Sequence, residues 1–317
     1  WNQVLPVVRG ITESFRDSEV LRRDREKARL KFLFLQHGWT AERFQDELER
    51  RIGFRLEAAA PEEPPEDVYR DHVGIHPQKQ PGHVYAGLAV LRGRLGPADL
   101  RAAADLADRY GTGEVRTTIM QNLVIPNVRR SQAGALARDA EAAGLRLEAS
   151  PFWRGTIACT GTEFCKLALT ETKGFARWLV DELEARMPGF GEHLKVHVTG
   201  CPNSCGQHWI ADIGIEGKKM RVDGRLVDAY YFCVGGAVGE HQAVARPVGY
   251  RVPASEVPAA IERLLRTYLA ERREGENFRR FCARHGDDEL RAFLAGAPAL
   301  AVARDPSPGP PPHALEG

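Results

Sequence analysis

Four of the six cysteines of this 317-residue chain lie in two short loops. Residues 159–165 read CTGTEFC and residues 199–205 read TGCPNSC, so each loop carries a pair of thiols. Thiolates hold iron–sulfur clusters where the backbone turns tightly enough to aim four sulfurs at one small cluster. The loops contain or adjoin residues that favour such turns, namely Gly161, Gly200, Pro202 and Gly206. The pattern predicts a four-cysteine [4Fe-4S] site.

Three other uses of these cysteines compete with the cluster. Structural zinc sites usually separate paired cysteines by two to four residues, and the first pair, with its longer spacing, fits poorly. Two disulfides would require an oxidising compartment, and the N-terminal residues do not resemble a secretory signal. Unrelated buried thiols are the third alternative, because free cysteine packs as a small hydrophobic side chain. The spacing favours the cluster and leaves these alternatives open.

The sequence around both pairs resembles the signature of the sirohaem-dependent nitrite and sulfite reductases. The matching segments are residues 158–173 (ACTGTEFCKLALTETK) and 197–208 (HVTGCPNSCGQH), in the order and spacing of that family. The resemblance implies four cysteine ligands to a [4Fe-4S] cluster, the last of which also bridges to the iron of sirohaem. By position these ligands are Cys159, Cys165, Cys201 and Cys205, with Cys205 as the bridging, catalytic ligand.

The overall composition is that of an ordinary soluble globular protein, with 43% hydrophobic and 27% charged residues. The net charge of +1 gives no reason to expect nucleic acid or an anionic membrane as a partner. No apolar run approaches the roughly 20 residues that span a bilayer. Thiolate ligands suit a reducing compartment, so we expect the cytoplasm, with a plastid as the alternative. The chain begins with Trp1, which suggests a fragment or a processed product.

Composition and resemblance together predict an α+β fold that forms one half of a pseudo-twofold reductase. Prolines and acidic residues mark a linker, and a proline-rich end cannot form a core. The expected parts are residues 1–60 as the helical end of a first catalytic subdomain, 61–80 as a linker, 81–150 as a ferredoxin-like α/β sandwich, 151–300 as a mixed α/β subdomain that binds sirohaem and the cluster, and 301–317 as a disordered tail. The N-terminal half of the same polypeptide is expected to be missing.

Local signals place several elements. Thr40 should cap a helix over residues 41–51 that stops at Gly53, and Pro97 should open a helix that ends at Gly111. Residues 115–127 predict a strand pair or one bent strand, and residues 145–148 predict a short final strand. Residues 163–186 predict a helix with Cys165 in its first turns, where free N–H groups favour an anionic cluster.

Polar residues interrupt the otherwise apolar strand region 115–127. They are Arg116, Thr118, Gln121 and Asn122. One interpretation is simple alternation between core and solvent. The other is recognition of a macrocycle that bears many carboxylates, because arginine binds carboxylate with two parallel hydrogen bonds and amides or hydroxyls satisfy further oxygens. In the family that this chain resembles, the equivalent strand lines the sirohaem pocket.

Other residues near the loops carry weaker signals. Asn203, between the second pair of cysteines, is expected to support its loop or contact the cofactor. For His193, His197 and His208 we expect hydrogen bonding or exposure. Cys233 and Cys282 are expected to be isolated thiols. Lys166 and Lys173 are expected either to be solvated or to place a positive charge near the substrate or cofactor. The basic run 22–31 is either a solvated helix face or a docking surface for an acidic electron donor.

The resemblance implies six-electron reduction of nitrite to ammonia, or of sulfite to sulfide, with ferredoxin or a similar donor. The substrate would be a small oxyanion, and the loop sequences look more like those of nitrite reductases. Two alternatives from other classes remain. One is a relative that binds a corrinoid precursor in tetrapyrrole biosynthesis, and the other is an electron-transfer module that carries the cluster alone.

Overall fold

The chain divides into two compact units in a computed structural model that describes residues 2–23, 28–58, 71–239 and 242–297. Of the described residues, those up to residue 58 form one unit and those from residue 71 onward form the other. The predicted tail and residues 24–27 of the basic run lie outside the described ranges. Within those ranges, every helix is too short or too polar to cross a bilayer.

The first unit is helical, as predicted. Its helices are α1 (Val4–Asp17), α2 (Lys31–Gln36) and α3 (Ala41–Ile52). The Thr40 side chain caps α3 by accepting the N–H of Arg43 at 3.2 Å, and the helix ends at Gly53 in the left-handed conformation. Helices α1 and α3 pack closely, since a Cβ at Gly10 would lie 2.7 Å from the side chain of Leu48.

The second unit begins with a four-stranded antiparallel sheet in the order β1-β2-β4-β3. The strands are β1 (Gly74–Pro77), β2 (His83–Leu88), β3 (Arg116–Thr117) and β4 (Leu123–Arg129). Two helices, α4 (Pro97–Tyr110) and α5 (Ala133–Ala142), cover one face. Ala86 and Ile125 from the sheet meet Leu106 and Leu136 from the helices in one buried cluster. This helix-on-sheet arrangement confirms the predicted α+β class and strand pair.

Two local predictions for this half of the unit were wrong. The strand β1 lies within residues 61–80, where the composition predicts a linker, and it pairs with β2. Pro77 is compatible with β1 because an edge strand does not need every N–H for pairing. The strand predicted at residues 145–148 is reduced to a single bridge between Arg146 and Ala89.

A five-stranded mixed sheet follows, in the order β5-β6-β7-β8-β9. Its strands are β5 (Thr156–Ala158), β6 (Val196–Thr199), β7 (Ile213–Val222), β8 (Arg225–Val234) and β9 (Arg246–Pro253). The first three are parallel, and the last two join them antiparallel. The accompanying helices are α6 (Pro151–Gly155), α7 (Lys173–Arg186), α8 (Val257–Glu271), α9 (Phe278–Arg284) and α10 (Asp287–Ala295). Helix α7 is the crossover that parallel strands β5 and β6 require.

The two faces of this sheet have different surroundings. One face forms the main core, where Val198 and Phe232 pack with Leu179 of α7 and Leu264 of α8. Residues that alternate with these point to the other face, which lies beneath the second cysteine loop. There Trp209 packs against a small buried cluster that contains Cys233. The cysteine loops are therefore supported by a sheet that is buried on both sides.

Candidate metal centre

Both cysteine loops start at the same edge of the five-stranded sheet. Strands β5 and β6 are parallel neighbours, with Ala158 opposite Val198. Cys159 follows β5 directly, and Cys201 follows β6 after a single glycine. The Cys159 N–H donates to the Val198 carbonyl at 3.0 Å, which continues the ladder to the first thiol. The carboxyl ends of adjacent parallel strands thus bring together two pairs of cysteines that are remote in sequence.

Hydrogen bonds join the two loops. The Gly200 carbonyl of the second loop accepts the N–H of Leu169 at 2.7 Å. The Gly200 N–H donates to the sulfur of Cys159 at 3.2 Å. On the other side of Cys159, the Thr172 hydroxyl donates to its carbonyl at 2.6 Å. Cys159 is therefore held by both loops, and its sulfur already receives a backbone hydrogen bond.

Glycine is required at two positions in this arrangement. Gly161 has a φ of +66°, and a Cβ there would lie 2.5 Å from the Thr172 hydroxyl. A Cβ at Gly206 would lie 2.3 Å from the Val198 carbonyl oxygen. Side chains at either position would force the loops away from the strands. The close approach explains why the sequence around the cysteines is rich in glycine.

The four thiols differ in exposure. Cys201 is buried, Cys159 and Cys165 are half-buried, and Cys205 is exposed. Within the described residues, no three or more His, Cys, Asp or Glu side chains converge to hold a metal ion. The donor set fits an iron–sulfur cluster, because cysteine thiolates are the ligands of such clusters. Hydrogen bonds to the sulfur atoms help to set the reduction potential of the cluster. The structure brings the loops together without gathering the sulfurs around one point.

The predicted helical position of Cys165 was wrong. Helix α7 begins at Lys173, and only residues 161–163 form a short 3-10 turn before Cys165. The intervening residues instead bond to the second loop, as Leu169 does when it donates its N–H to the Gly200 carbonyl at 2.7 Å. Contacts with the second loop prevail over the helical propensity of this segment. No helix N-terminus lies at Cys165.

Buried polar side chains support the second loop from the sheet. The ring Nδ1 of His197 lies 3.0 Å from the carbonyl oxygen of Gln207, two residues after Cys205. Burial lowers the pKa of His197 to about 4, so this ring is neutral at physiological pH. His208 is fully buried, with its Nε2 3.3 Å from a carboxylate oxygen of Glu216. The His197 contact agrees with the expected hydrogen-bonding role, whereas neither ring nitrogen of His208 forms a hydrogen bond among the described residues.

Apart from Lys173, the other candidates near the loops are isolated buried thiols or lie at the surface. Cys233 and Cys282 are buried, and burial raises the pKa of each thiol, as expected for isolated cysteines. Asn203 is exposed at the tip of the second loop, and Lys166 and His193 are exposed as well. Lys173 is half-buried at the start of α7. Burial lowers the pKa of its ammonium group.

The four polar residues of the first sheet fall into two sets. Arg116 and Thr118 line a cavity on the sheet, and Arg116 forms an ion pair with Glu114 at 2.6 Å. Gln121 and Asn122 line a second cavity, which they share with Lys173. The side-chain oxygen of Asn122 accepts the N–H of Val90 at 2.8 Å, so that oxygen serves the fold.

The sequence did not predict that Arg92 contacts Lys173 beside the first cysteine loop. Its guanidinium donates to the Lys173 carbonyl at 2.6 Å, and its own carbonyl accepts a hydrogen bond from the Lys173 ammonium. Arg92 lies in a turn after β2 with a φ of +54°. Only the neighbouring Gly93 hints at an unusual turn, so the sequence carried little signal for this contact.

Comparison with known proteins decides the family. Residues 76–143 match the nitrite/sulfite reductase ferredoxin-like half domain, and residues 150–297 match the nitrite and sulphite reductase 4Fe-4S domain. The chain belongs to the nitrite and sulfite reductase family. The two matched ranges correspond to the two sheets of the second unit. Membership confirms the predicted [4Fe-4S] cluster and implies sirohaem.

Individual relatives agree with this assignment. An assimilatory ferredoxin-dependent nitrite reductase of Haloferax mediterranei is 38% identical over 302 residues, covering 90% of this chain and 50% of the relative. A ferredoxin sulfite reductase of Mycolicibacterium paratuberculosis is 36% identical over 296 residues, covering 92% and 53%. The solved structure of Mycobacterium tuberculosis NirA is similar with a TM-score of 0.78 and 35% identity, covering 85% of this chain and 50% of that one. The chain spans about half the length of these reductases.

Proposed function

We propose that this chain forms the cluster-bearing half of an enzyme that catalyses the six-electron reduction of nitrite to ammonia. The observation that carries the proposal is the junction of the two cysteine loops, where the Gly200 N–H donates to the Cys159 sulfur at 3.2 Å. Hydrogen bonds to sulfur are one of the means by which proteins set the potential of iron–sulfur clusters. The match to a 4Fe-4S domain over residues 150–297 supports the same assignment.

In this proposal Cys159, Cys165, Cys201 and Cys205 are the cluster ligands. When bound, the cluster and sirohaem supply one-electron transfer and an iron with an open coordination position. Cys205 is the thiolate shared with sirohaem, and its exposure leaves room for a second group on its sulfur. Cys201 is buried and anchors the second loop.

Arg116, Thr118 and Asn203 are proposed cofactor contacts. Arg116 is exposed and lies beside Thr118 on the open side of the first sheet, where a carboxylate could replace Glu114 as its partner. Asn203 is exposed between Cys201 and Cys205, two residues before Cys205 in the second loop. Gln121 and Asn122 contact the protein itself, which assigns them a supporting role.

Nitrite is the preferred substrate because the nitrite reductase of Haloferax mediterranei and that of Zea mays, 40% identical over 282 residues, match this chain. Sulfite is the second candidate, since a ferredoxin sulfite reductase is 36% identical. The named relatives are ferredoxin-dependent, and we propose ferredoxin or a similar protein as the donor. The remainder of the active site, including the cationic groups that hold a small oxyanion, is assigned to the sequence that the chain does not share with its longer relatives.

The test is a cofactor analysis of anaerobically purified protein from cells that synthesise sirohaem. We expect cluster iron, acid-labile sulfide and extractable tetrapyrrole in the wild-type chain, and loss of tetrapyrrole together with cluster damage in Cys205→Ser. Cys282→Ala is the matched control, because Cys282 is a buried thiol in helix α9 and belongs to neither cysteine loop. Tetrapyrrole in equal amounts in both variants would contradict the role of Cys205. Zinc without iron or sulfide would refute the proposed function.

A donor and substrate assay follows for protein that carries both cofactors. Reduced viologen or ferredoxin is supplied with nitrite or sulfite, and ammonia or sulfide is measured. We expect ammonia from nitrite at a higher rate when the N-terminal portion of a relative is supplied than with the chain alone. Equal rates would contradict the proposal that this chain is half of the active site.

A further inference from the structure

Strand β5 lies at the edge of the five-stranded sheet, so among the described residues no further strand pairs with the outer side of its backbone. The side chain of Gln121, from the ferredoxin-like half domain, occupies that side. Its Nε2 donates to the Ala158 carbonyl at 2.9 Å, and its Oε1 accepts the Ala158 N–H at 3.3 Å. One edge of a primary amide presents an N–H donor and a carbonyl acceptor side by side, which matches the N–H and C=O that one strand residue directs to the same side. Gln121 therefore completes β5 as a short strand would, one residue before Cys159.

The half domain fixes the position of Gln121. Its backbone is left-handed, with a φ of +60°, in a turn where its N–H donates to the Thr118 carbonyl at 3.1 Å. A Cβ at Gly93 would lie 2.8 Å from the Gln121 side chain, so this side chain packs directly on the Gly93 backbone. A left-handed glutamine is uncommon, and here the strained conformation aims the amide at β5.

Lys173 links the same amide to the far side of the first loop. Its ammonium donates to Gln121 Oε1 at 3.3 Å and to the Arg92 carbonyl. Lys173 follows Thr172, whose hydroxyl binds the Cys159 carbonyl at 2.6 Å. The residues on both sides of the loop, Ala158 before Cys159 and Lys173 after the loop, therefore share one partner.

We propose that Gln121 is a positioning residue that holds Cys159 in the geometry required for cluster ligation. This inference rests on the proposed function, in which Cys159 is a cluster ligand. The amide of Gln121 is occupied by Ala158 and Lys173, so it acts through the backbone of the ligand rather than on the macrocycle. The ferredoxin-like half domain thereby fixes the position of one of the four cysteine ligands, although all four belong to the other subdomain.

The test compares Gln121→Met with Gln132→Met in the anaerobically purified chain. Methionine has nearly the length of glutamine but neither the N–H donor nor the carbonyl acceptor, and Gln132 is exposed in the same half domain. Two quantities are measured: the rate at which an iron chelator removes the cluster, and the cluster potential from a redox titration followed by electron paramagnetic resonance. Removing a group that orients a metal ligand typically weakens binding about 10–100-fold.

We expect cluster loss at least about 10-fold faster in Gln121→Met, with a shifted potential, and wild-type behaviour in Gln132→Met. Equal loss rates and potentials in the two variants would overturn the inference while leaving the proposed function intact. A wild-type chain without iron and sulfide would overturn both. If circular dichroism shows that Gln121→Met is unfolded, the same two quantities are measured for Gln121→Glu. It keeps an acceptor for the Ala158 N–H and loses the donor, and wild-type loss rates in that variant would equally overturn the inference.

Discussion

A methyl group on strand β7 should disturb the cluster loops without touching a cysteine. Gly217 lies on β7 beside the junction of the two loops. A Cβ at this position would lie 2.1 Å from the Thr170 hydroxyl and 2.8 Å from the Gly200 carbonyl oxygen. Thr170 is fully buried, so its side chain has no free space into which to turn. Gly217→Ala must therefore push the second loop or the strand itself.

The size of the effect follows from these distances. Ordinary carbon–oxygen contacts are about 3.4 Å or longer, so relief requires a shift of roughly 1 Å, and overpacking of this kind costs about 1–3 kcal/mol. The shift falls on Gly200, whose N–H and carbonyl bind the Cys159 sulfur and the Leu169 N–H. We expect both a lower free energy of unfolding and a lower cluster content.

Denaturant titration and iron–sulfide analysis on the same preparation measure the two effects. Gly191→Ala is the matched control, because Gly191 is exposed and the nearest atom to its added Cβ would be 3.9 Å away. Unchanged stability and full cluster occupancy in Gly217→Ala would refute the close packing of β7 against Gly200. Loss of stability with full occupancy would refute the coupling between that packing and the thiols.

Two further predictions concern buried carboxylates. Burial raises the pKa of Asp212 to about 6, so the folded state binds this proton more tightly than the unfolded state does. The protonated carboxyl therefore makes its full contribution to the free energy of unfolding below about pH 4, and this contribution is lost as the pH rises through 6. Asp212→Asn should therefore match the wild type near pH 4 and exceed its unfolding free energy by up to about 3 kcal/mol at pH 8, and a difference independent of pH would contradict this. Asp71 is 2% exposed and forms an ion pair with Arg154, so Asp71→Asn should lower the unfolding free energy by about 2–4 kcal/mol in denaturant titration. The exposed pair of Arg177 and Asp181 provides the control, since Asp181→Asn should change stability by less than about 1 kcal/mol, and equal losses would refute the role of burial.

Local signals made the helices the most predictable part of this fold. Thr40 and Gly53 delimit α3, and Pro97 and Gly111 delimit α4, because capping depends on residues within one turn of the helix end. The cysteine loops were also predictable, since spacing and glycine content reflect chemistry that is local to each loop.

Elements that depend on distant partners were harder to predict. Strand β5 has only three residues and is stabilised by β6 and by the amide of Gln121. The segment after Cys165 has helical periodicity, yet its backbone bonds to Gly200 instead. The contact between the Gln121 amide and Ala158 could not be predicted either, because nothing in the residue type of Gln121 or in its neighbours points to that partner. Each of these cases required knowledge of a residue far away in sequence.

The crossover from β5 through α7 to β6 also makes cofactor insertion a folding event. Thirty-five residues separate the two cysteine pairs, so an unfolded chain offers two isolated dithiols and no four-thiol site. Binding energy that exists only in the closed βαβ unit adds to the stability of that unit. A chain that loses its cluster to oxygen therefore loses folding free energy at the same moment.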